Sequence, residues 1–215
     1  MHLFLDTANV EQIRYGVKLG IISGVTTNPT LVAKEGHRNY KAAISEICSV
    51  VEGPVSAEVL TQETKSMVQE AREISSWSPY VVVKIPVTAN GLEAVSILTK
   101  EGIKVNLTLC FSVNQALLGM LAGATYISPF VGRLDDIGND GMQLVADIAD
   151  MLGKYHSTSQ VIAASIRHPL HCVTAVKVGA DIATIPFGVM MNMIDHPLTT
   201  LGIDRFLKDW QSLSQ

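Results

Sequence analysis

The sequence has few cysteines, few aromatic residues and no cysteine pair of the C-x-x-C type. Only three of its 215 residues are cysteine, at positions 48, 110 and 172. An odd number of widely separated cysteines argues against a disulfide framework and against a cysteine zinc site. With 6% aromatic and 47% apolar residues, the core should consist mainly of Ala, Val, Ile and Leu. This composition predicts a single domain over residues 1–215.

The chain also lacks a dense run of Lys or Arg and a long uninterrupted apolar stretch. Its formal net charge of −4 gives no electrostatic reason to bind nucleic acid or an anionic membrane. The longest mostly apolar stretch, residues 182–194, contains Pro186 and Asn192 and is too short to cross a bilayer. The first residues lack the basic lead and the cleavage site of a signal peptide. We therefore expect a cytoplasmic protein with no nucleic-acid or membrane partner.

One strand-like segment, residues 80–88, carries a lysine in apolar surroundings. Val81, Val82 and Val83 are consecutive β-branched residues, which is typical of a strand buried on both faces. A charged and unpaired Lys84 would be costly there, so it needs either a carboxylate partner or a neutral form. A neutral buried lysine is a nucleophile, whereas a paired or solvent-reaching lysine is structural. The segment alone leaves both interpretations open.

Eight apolar runs alternate with eight helix-forming segments along the chain. The runs begin near residues 2, 21, 55, 80, 103, 124, 160 and 181. This alternation is the βα repetition of a parallel sheet, and eight such units close a barrel. A doubly wound open sheet is the competing fold, but it favours a glycine-rich turn after the first strand, where Asp6-Thr7-Ala8-Asn9 stands. The sequence therefore predicts an α/β fold, a (β/α)8 TIM barrel.

Further local signals lie between and after these runs. The second helical region should break near residues 35–37, and the polar residues 132–141 predict a loop. Residues 199–215 predict an additional C-terminal helix. Its apolar face consists of Ile203, Phe206, Leu207, Trp210 and Leu213. Such a face packs on the barrel or on a neighbouring subunit, and the sequence leaves these alternatives open.

Polar and charged residues, with one phenylalanine, follow the predicted strands at the ends where chemistry gathers in a barrel of this kind. They are Asp6, Thr26, Asn28, Glu58, Lys84, Asn106, Thr108, Ser128, Phe130, Arg133, Ser165 and Arg167. Each has an ordinary explanation when taken alone, such as a helix cap for Asn28 or an ion pair between Glu58 and Lys84. Their convergence on one rim predicts an active site.

The predicted rim combines a lysine with carboxylates and arginines. A lysine with two carboxylates, Asp6 and Glu58, is a minimum set for carbonyl chemistry through a Schiff base, because imine formation needs an amine, an acid and a base. Arg133, Ser165 and Arg167 form a clamp suited to phosphate through charge-assisted hydrogen bonds. The combination indicates a phosphorylated carbonyl substrate.

Seven motifs, in this order along the chain, are similar to those of one enzyme family. They are LDTA (5–8), GVTTNPT (24–30), SAEV (56–59), VKIPVT (83–88), NLT (106–108), SPFVGR (128–133) and ASIR (164–167). Together they resemble the transaldolase family, and specifically its short branch, which includes the fructose-6-phosphate aldolases. The resemblance covers nearly the whole chain and implies a barrel enzyme with sugar-phosphate substrates.

The resemblance implies a role for each predicted residue. Lys84 resembles the lysine that forms a Schiff base with a ketose phosphate, and Asp6 resembles the base that takes the C4 hydroxyl proton. Glu58 and Thr108 resemble the pair that holds the water of imine formation and dehydration. The residues implied in substrate binding are Thr26, Asn28, Asn106, Ser128 and Phe130, and those implied in phosphate binding are Arg133, Ser165 and Arg167.

The resemblance implies no metal and no organic cofactor. His168 and His171 lie three positions apart, but the motif supplies neither a carboxylate nor a third histidine, so no metal site is predicted. The short branch of the family usually forms pentameric rings, often paired into decamers. We therefore expect a homo-oligomer, either a pentamer or a decamer.

Two positions bear on the reaction within the family. Its fructose-6-phosphate aldolases typically carry glutamine where this chain has Glu58 and tyrosine where it has Phe130. Because phenylalanine has no hydroxyl to relay a proton, the enamine would survive to attack a second aldehyde, which is transfer of a dihydroxyacetone unit. The sequence therefore favours a transaldolase of the pentose phosphate pathway. The alternatives are a fructose-6-phosphate aldolase that releases free dihydroxyacetone and a sugar-phosphate-binding barrel without catalysis.

Overall fold

Eight parallel strands pair in chain order, and pairing of the first with the last closes them into a barrel. The computed structural model describes residues 1–36 and 39–213. The strands are β1 (His2–Asp6), β2 (Gly24–Thr26), β3 (Val55–Glu58), β4 (Val81–Pro86), β5 (Val105–Cys110), β6 (Tyr126–Pro129), β7 (Gln160–Ala163) and β8 (Ile182–Ile185). The predicted (β/α)8 barrel is therefore confirmed, and the competing open sheet is not the fold. The assignment of residues 1–215 to one domain stays a prediction.

Eleven helices lie among the described residues, because the helical segments are divided more finely than the sequence predicts. They are α1 (Val10–Lys18), α2 (Pro29–Lys34), α3 (Tyr40–Val51), α4 (Thr64–Ser75), α5 (Ala89–Lys100), α6 (Val113–Ala122), α7 (Val131–Asp135), α8 (Gly141–Lys154), α9 (Pro169–Lys177), α10 (Phe187–Ile194) and α11 (Pro197–Leu213). The break between α2 and α3 lies where it is predicted, although His37 is outside the described residues. None of the helices in the described ranges is both long and apolar enough to cross a membrane.

The prediction that residues 132–141 form only a loop is wrong, because α7 occupies part of this stretch. The first residues of α7, Val131 and Gly132, donate main-chain hydrogen bonds to the carbonyl oxygens of Ala164 and Ser165, beyond β7. These bonds attach the turn to the neighbouring strand end. Tertiary contact thus stabilises a short helix that the local sequence does not favour.

Some strands begin later than the apolar runs that predict them, and β2 and β5 are examples. β2 begins at Gly24 and β5 begins at Val105. Before β5, Gly102 has a φ of 79° and Ile103 donates its main-chain N–H to the carbonyl of Leu98 at 3.0 Å. This is the bond pattern of a helix end closed by a left-handed glycine. Ile103 therefore completes α5 and does not open the strand.

Asparagine side chains begin the first three helices. Asn9, Asn28 and Asn39 each accept a main-chain N–H from the first turn of the helix that follows. Pro29 occupies the first position of α2, where its missing N–H costs nothing. The predicted cap at Asn28 is confirmed.

The barrel interior consists of an apolar layer and a polar layer. The apolar layer is the buried cluster of Phe4, Val82, Tyr126, Ile162 and Ile182. The positions two residues later on four of these strands are Asp6, Lys84, Ser128 and Thr184. Because alternate residues of a strand face the same side, the polar layer lies next to the apolar layer, toward the carboxyl ends of the strands.

Gly24 makes room for the largest ring of the apolar layer. It pairs with Phe4 on the adjacent strand, and a Cβ at Gly24 would lie 2.6 Å from carbon atoms of the Phe4 ring. The phenylalanine is 3% exposed. A glycine at this position therefore allows the ring to fill the barrel beneath the polar layer.

Helix α11 is the predicted additional helix and begins at Pro197, slightly before the predicted start; positions 214 and 215 are outside the described residues. None of its described residues is buried. On its apolar face, Phe206 is 71% exposed and Leu213 is 80% exposed. In the structure, the apolar face of α11 therefore does not pack on the chain's own barrel, which was one of the two alternatives.

Candidate active site

A polar cavity of about 180 Å³ opens at the carboxyl ends of the barrel strands. Its lining consists of Asp6, Thr26, Asn28, Lys84, Asn106, Ser128, Phe130, Arg133, Ala164, Ser165, Arg167 and Thr184. All the predicted site residues except Glu58 and Thr108 line this cavity, and both of these lie next to its walls on β3 and β5. The carboxyl ends of the strands are where barrels of this kind hold their active sites.

Lys84 is a buried charged group in the wall of the cavity. It is 6% exposed, between the fully buried Val83 and Ile85 of β4. Its Nζ lies 3.2 Å from Oε2 of Glu58 and donates a hydrogen bond to the carbonyl oxygen of Thr27 at 3.3 Å. The register of β3 and β4 pairs Glu58 with Lys84, which brings the two side chains together. Lys84 therefore has a carboxylate partner and also borders the cavity.

Tyr40 holds the main chain of Glu58, and no sequence signal marks it for this role. The main-chain N–H of Glu58 donates to the Tyr40 hydroxyl at 2.7 Å, and the hydroxyl donates to the carbonyl oxygen of Glu58 at 3.4 Å. Burial raises the pKa of Tyr40 to about 12, so the phenol keeps its proton. The ring packs edge-on against Trp77, with centroids 5.5 Å apart. Tyr40 therefore fixes the end of β3 to the start of α3.

Asn106 is fully buried and its amide is bonded on both sides. Its Nδ2 donates to Oγ of Ser56 at 3.0 Å, and its Oδ1 accepts from Oγ of Ser128 at 2.7 Å. The side chain therefore has one orientation between β3 and β6. Thr108, further along the same strand, is also fully buried, and its Oγ1 has no hydrogen-bond partner among the described residues. That hydroxyl retains its full hydrogen-bonding capacity.

Asp6 is tied to the neighbouring strand by one carboxyl oxygen. Oγ1 of Thr26 donates to Oδ1 of Asp6 at 2.7 Å. Burial raises the pKa of the Asp6 carboxyl, whereas the Thr26 hydrogen bond and the positive charge of Lys84 act in the opposite direction. A carboxyl with a raised pKa holds a proton more readily than an exposed one near neutral pH. Asp6 is therefore suited to proton transfer.

Thr184 extends this arrangement and is not among the predicted site residues. It is 2% exposed, and its Oγ1 lies 2.6 Å from Oγ1 of Thr26. Because the single hydroxyl proton of Thr26 goes to Asp6, Thr184 must be the donor to Thr26. The sequence does contain a signal for Thr184. It is a polar residue in the last of the eight predicted strands, and every other strand contributes such a residue to the rim.

The Phe130 ring lies near two cationic groups. Its centroid is 4.9 Å from Cζ of Arg133 and 6.0 Å from Nζ of Lys84. Cations are attracted to the face of an aromatic ring. The ring of Phe111 packs against Phe130 edge-on, with centroids 5.8 Å apart. Phe130 therefore forms an apolar wall between the lysine and the arginine.

The residues predicted to bind phosphate come from two segments at the rim. Arg133 belongs to α7, while Ser165 and Arg167 follow β7. Nη2 of Arg167 lies 2.8 Å from Oδ2 of Asp136. Ser165 has a φ of 59°, a left-handed conformation that is rare for residues other than glycine. The cavity thus has two exposed guanidinium groups at its mouth.

The two histidine rings of the RHPLH segment (167–171) are in tilted contact next to this rim. The ring centroids of His168 and His171 are 3.8 Å apart. Nε2 of His171 lies 3.2 Å from Oδ2 of Asp135, so a carboxylate from another element pairs with this one histidine. In residues 1–36 and 39–213, no three His, Cys, Asp or Glu side chains are grouped in a way that could hold a metal ion.

The chain is similar to proteins of one family over nearly its whole length. The family model for Transaldolase/Fructose-6-phosphate aldolase matches residues 3–215. A probable transaldolase from Dehalococcoides mccartyi is 59% identical over 216 residues, covering 100% of both chains. Probable transaldolases from Moorella thermoacetica and Methanococcus maripaludis are 55% and 56% identical, covering 99% of this chain and 99% and 98% of those proteins.

One solved structure shares the barrel at low sequence identity. A mandelate oxidase mutant with a monooxide FMN adduct aligns with a TM-score of 0.58 and 15% identity, covering 87% of this chain and 64% of that chain. At this identity the likeness concerns the fold alone.

We predict that Asp6→Asn raises thermal stability, and most strongly at neutral pH. Burial raises the folded-state pKa of Asp6 above its ordinary value of 3.8. The protonated carboxyl makes its whole contribution to the free energy of unfolding at pH values below the pKa of Asp6 in the unfolded chain. This contribution is lost as the pH rises through the pKa of Asp6 in the folded protein. The neutral amide avoids this loss and can still accept from Thr26. The melting temperature should exceed that of the wild type by a few degrees at pH 7 and by less toward pH 4.

The matched control is Asp147→Asn, because this exposed carboxylate accepts a hydrogen bond from Gln143 at 2.8 Å that an amide oxygen can also accept. Its melting temperature should follow that of the wild type across the same pH range. An Asp6→Asn variant that melts below the wild type at pH 7 would contradict the dominance of burial over the Lys84 attraction.

Proposed function

Because the chain belongs to the Transaldolase/Fructose-6-phosphate aldolase family, we propose that it transfers a dihydroxyacetone unit between sugar phosphates through a Schiff base on Lys84. In this reaction, sedoheptulose 7-phosphate and glyceraldehyde 3-phosphate give erythrose 4-phosphate and fructose 6-phosphate. The observation that carries the proposal is a buried amine in the wall of a polar cavity, with Glu58 3.2 Å from its nitrogen. Schiff-base catalysis needs such an amine and a group that exchanges protons with it.

Phosphate binding is proposed for the rim of the cavity. Arg133 and Arg167 both line the cavity, and each is exposed at its mouth. Two guanidinium groups and the Ser165 hydroxyl offer several charge-assisted and neutral donors to phosphate oxygens. With the phosphate at this rim, the carbonyl end of the sugar reaches toward Lys84.

Imine formation is proposed for Lys84 and Glu58. Glu58 takes a proton from the ammonium group, and the neutral amine then adds to the C2 carbonyl of the ketose. Glu58 returns the proton to the hydroxyl of the resulting carbinolamine, which leaves as water. The Thr108 hydroxyl, buried and without a partner among the described residues, supports a role in holding that water.

Cleavage of the carbon chain is proposed for Asp6. Its carboxylate takes the C4 hydroxyl proton, the C3–C4 bond breaks, and the electron pair moves through C2 to the iminium nitrogen. An aldehyde leaves, and an enamine stays bound to Lys84. Oδ1 of Asp6 accepts from Thr26, which leaves Oδ2 for the C4 hydroxyl. Asn28, Asn106 and Ser128, all in the lining, are assigned to the hydroxyls of the bound fragment.

The fate of the enamine separates transfer from hydrolysis. If it attacks a second aldehyde, the dihydroxyacetone unit is transferred; if it is protonated at C3 and hydrolysed, free dihydroxyacetone is released. Phe130 borders the cavity and carries no hydroxyl that could relay that proton. This supports a transaldolase. The alternative is a fructose-6-phosphate aldolase, which the family name also includes.

The proposal also covers the oligomeric state, the location and the pathway of the protein. We assign the chain to a homo-oligomer, a pentamer or decamer, in the cytoplasm and in the pentose phosphate pathway. The apolar face of α11 supports assembly, because large exposed apolar patches mark interaction sites. No step is assigned to a metal or to an organic cofactor.

We expect borohydride to trap a dihydroxyacetone adduct on Lys84 when it is added during turnover of fructose 6-phosphate. Reduction converts the imine to a stable amine, which peptide mass spectrometry locates. Lys84→Arg keeps the charge but cannot form the imine, so it should lose activity by at least about 1,000-fold.

The matched control is Lys104→Arg, which makes the same change at an exposed lysine and should leave activity and labelling intact. An unmodified Lys84 under turnover conditions would contradict both enzyme proposals and would leave a binding barrel without catalysis.

We expect release of glyceraldehyde 3-phosphate from fructose 6-phosphate to depend on an added acceptor, erythrose 4-phosphate. Without the acceptor, the enamine can only recombine with the released aldehyde, so release should stop at about one equivalent per active site. Phe130→Tyr should increase acceptor-independent release at least several-fold, because the added hydroxyl provides a route for protonation.

The control variant Phe111→Tyr adds the same hydroxyl to the ring that packs against Phe130 and should not change this release. Sustained release by the wild type without acceptor, with dihydroxyacetone accumulating, would establish the aldolase alternative.

We predict that Phe206→Asp dissociates the oligomer. The substitution places a carboxylate on the apolar face of α11, where burial against a neighbouring subunit would require its desolvation. The mass in solution, from analytical ultracentrifugation, should fall. Lys208→Asp introduces the same side chain outside this face and should leave the mass unchanged. An unchanged mass for Phe206→Asp would mean that this face is not an interface.

A further inference from the structure

We propose that His171 is a positioning residue of the phosphate site: its imidazole joins the Arg167 main chain to Asp135 of α7 and so fixes the spacing between the two arginine-bearing segments. The inference rests on the proposed function of Arg133 and Arg167 as phosphate ligands. It goes further than that function, because His171 acts through these segments and is not in the cavity lining.

The first anchor is a hydrogen bond to the Arg167 main chain. The N–H of Arg167 donates to Nδ1 of His171 at 3.3 Å. Because Nδ1 accepts, the proton of the neutral ring lies on Nε2. Burial lowers the pKa of His171, as does the charge of His168, while Asp135 acts in the opposite direction. The ring is therefore a neutral bridge at neutral pH, with an acceptor on one side and a donor on the other.

The second anchor is the carboxylate of Asp135. Nε2 of His171 lies 3.2 Å from Oδ2 of Asp135, and the His171 side chain is 12% exposed. The other carboxylate oxygen, Oδ1, accepts the main-chain N–H of Gly141 at 2.9 Å. Asp135 thus connects the histidine of α9 with the end of α7 and the start of α8.

The Arg167 side chain lies against the same short helix. Nη2 of Arg167 is 2.8 Å from Oδ2 of Asp136, the residue that follows Asp135. A Cβ at Gly132 would lie 2.7 Å from Cγ of Arg167, so the glycine allows this close approach. The main chain of Arg167 is therefore held through His171, and its side chain is held directly by α7 and the residue after it.

The spacing of the two arginines depends on these contacts because the arginines belong to different segments. Arg133 is part of α7, whereas Arg167 follows β7. Between them, Ser165 keeps a φ of 59°, a costly conformation that persists only where the surroundings impose it. A phosphate held by two guanidinium groups binds less well when their separation fluctuates, because binding must then restrict that motion.

His168 provides a matched control. Its ring contacts that of His171 at an interplanar angle of 48°, with centroids 3.8 Å apart, but its side chain makes no capping hydrogen bond to α9. His168→Phe keeps an aromatic ring at this position and removes nitrogens that take no part in the two anchors. A general loss of ring packing would therefore affect both histidine positions, whereas loss of the anchors would affect His171 alone.

The experiment compares His171→Phe, His171→Asn and His171→Gln with His168→Phe in the full chain. His171→Phe removes both anchors, Asn keeps an acceptor near the Nδ1 position, and Gln keeps a donor near the Nε2 position. Each variant is tested for the KM and kcat of fructose 6-phosphate cleavage with saturating erythrose 4-phosphate, and for the dissociation constant of inorganic phosphate.

We expect His171→Phe to raise both the KM and the phosphate dissociation constant by about ten-fold, with kcat changed by less than about two-fold. His171→Asn and His171→Gln should each raise them by about three-fold, and His168→Phe should match the wild type. An unchanged KM for His171→Phe, or a fall in kcat without a rise in KM, would overturn the inference. If His171→Phe does not fold, the Asn and Gln variants decide by the same criteria.

Arg133→Ala and Arg167→Ala separate a failure of this inference from a failure of the proposed phosphate site. If they raise the KM and His171→Phe does not, only the role of His171 is wrong. If neither arginine variant raises the KM or weakens phosphate binding, the phosphate site itself is wrong.

Discussion

A buried ammonium group with a carboxylate 3.2 Å away imposes the main constraint on this barrel. Removing two charges from water is costly, and their attraction offsets that cost only with good geometry and further hydrogen bonds. β3 and β4 supply the geometry by pairing Glu58 with Lys84. Tyr40 fixes the Glu58 main chain, and the carbonyl of Thr27 accepts from Lys84. The pair is therefore maintained by contacts from several elements, so that the ammonium group of Lys84 is buried but not left unpaired.

Several other polar side chains of the interior also bond to one another. Asn106 is bonded to Ser56 and to Ser128, and Thr26 joins Asp6 to Thr184. Each bond joins side chains from different strands, so the orientation of one depends on the position of another. Cooperative networks of this kind give side chains a single arrangement in a low-dielectric interior. Within the described residues, that arrangement leaves the Thr108 hydroxyl without a hydrogen-bond partner.

The sequence predicts the barrel and most of the cavity because both depend on local patterns. Three consecutive valines before Lys84 identify a doubly buried strand, and the strand-end rule of barrels assembles the rim from single positions. Tyr40 and His171 act instead through contacts with Glu58 and Asp135 on other elements, and no periodicity marks such contacts. The loop prediction at α7 fails for a related reason, because main-chain bonds to Ala164 and Ser165 outweigh the weak helix preference of its sequence. The roles assigned to the cavity residues stay predictions.

The apolar layer that contains Phe4 has a consequence for the order of steps in the proposed reaction. Because these side chains fill the barrel below Lys84, the cavity has its opening at the carboxyl ends of the strands, and every reactant must pass the same mouth. The first aldehyde has to depart before the second can take its place. The enzyme would therefore follow a double-displacement order, in which the covalent intermediate alternates with the free lysine and no ternary complex of both aldehydes forms.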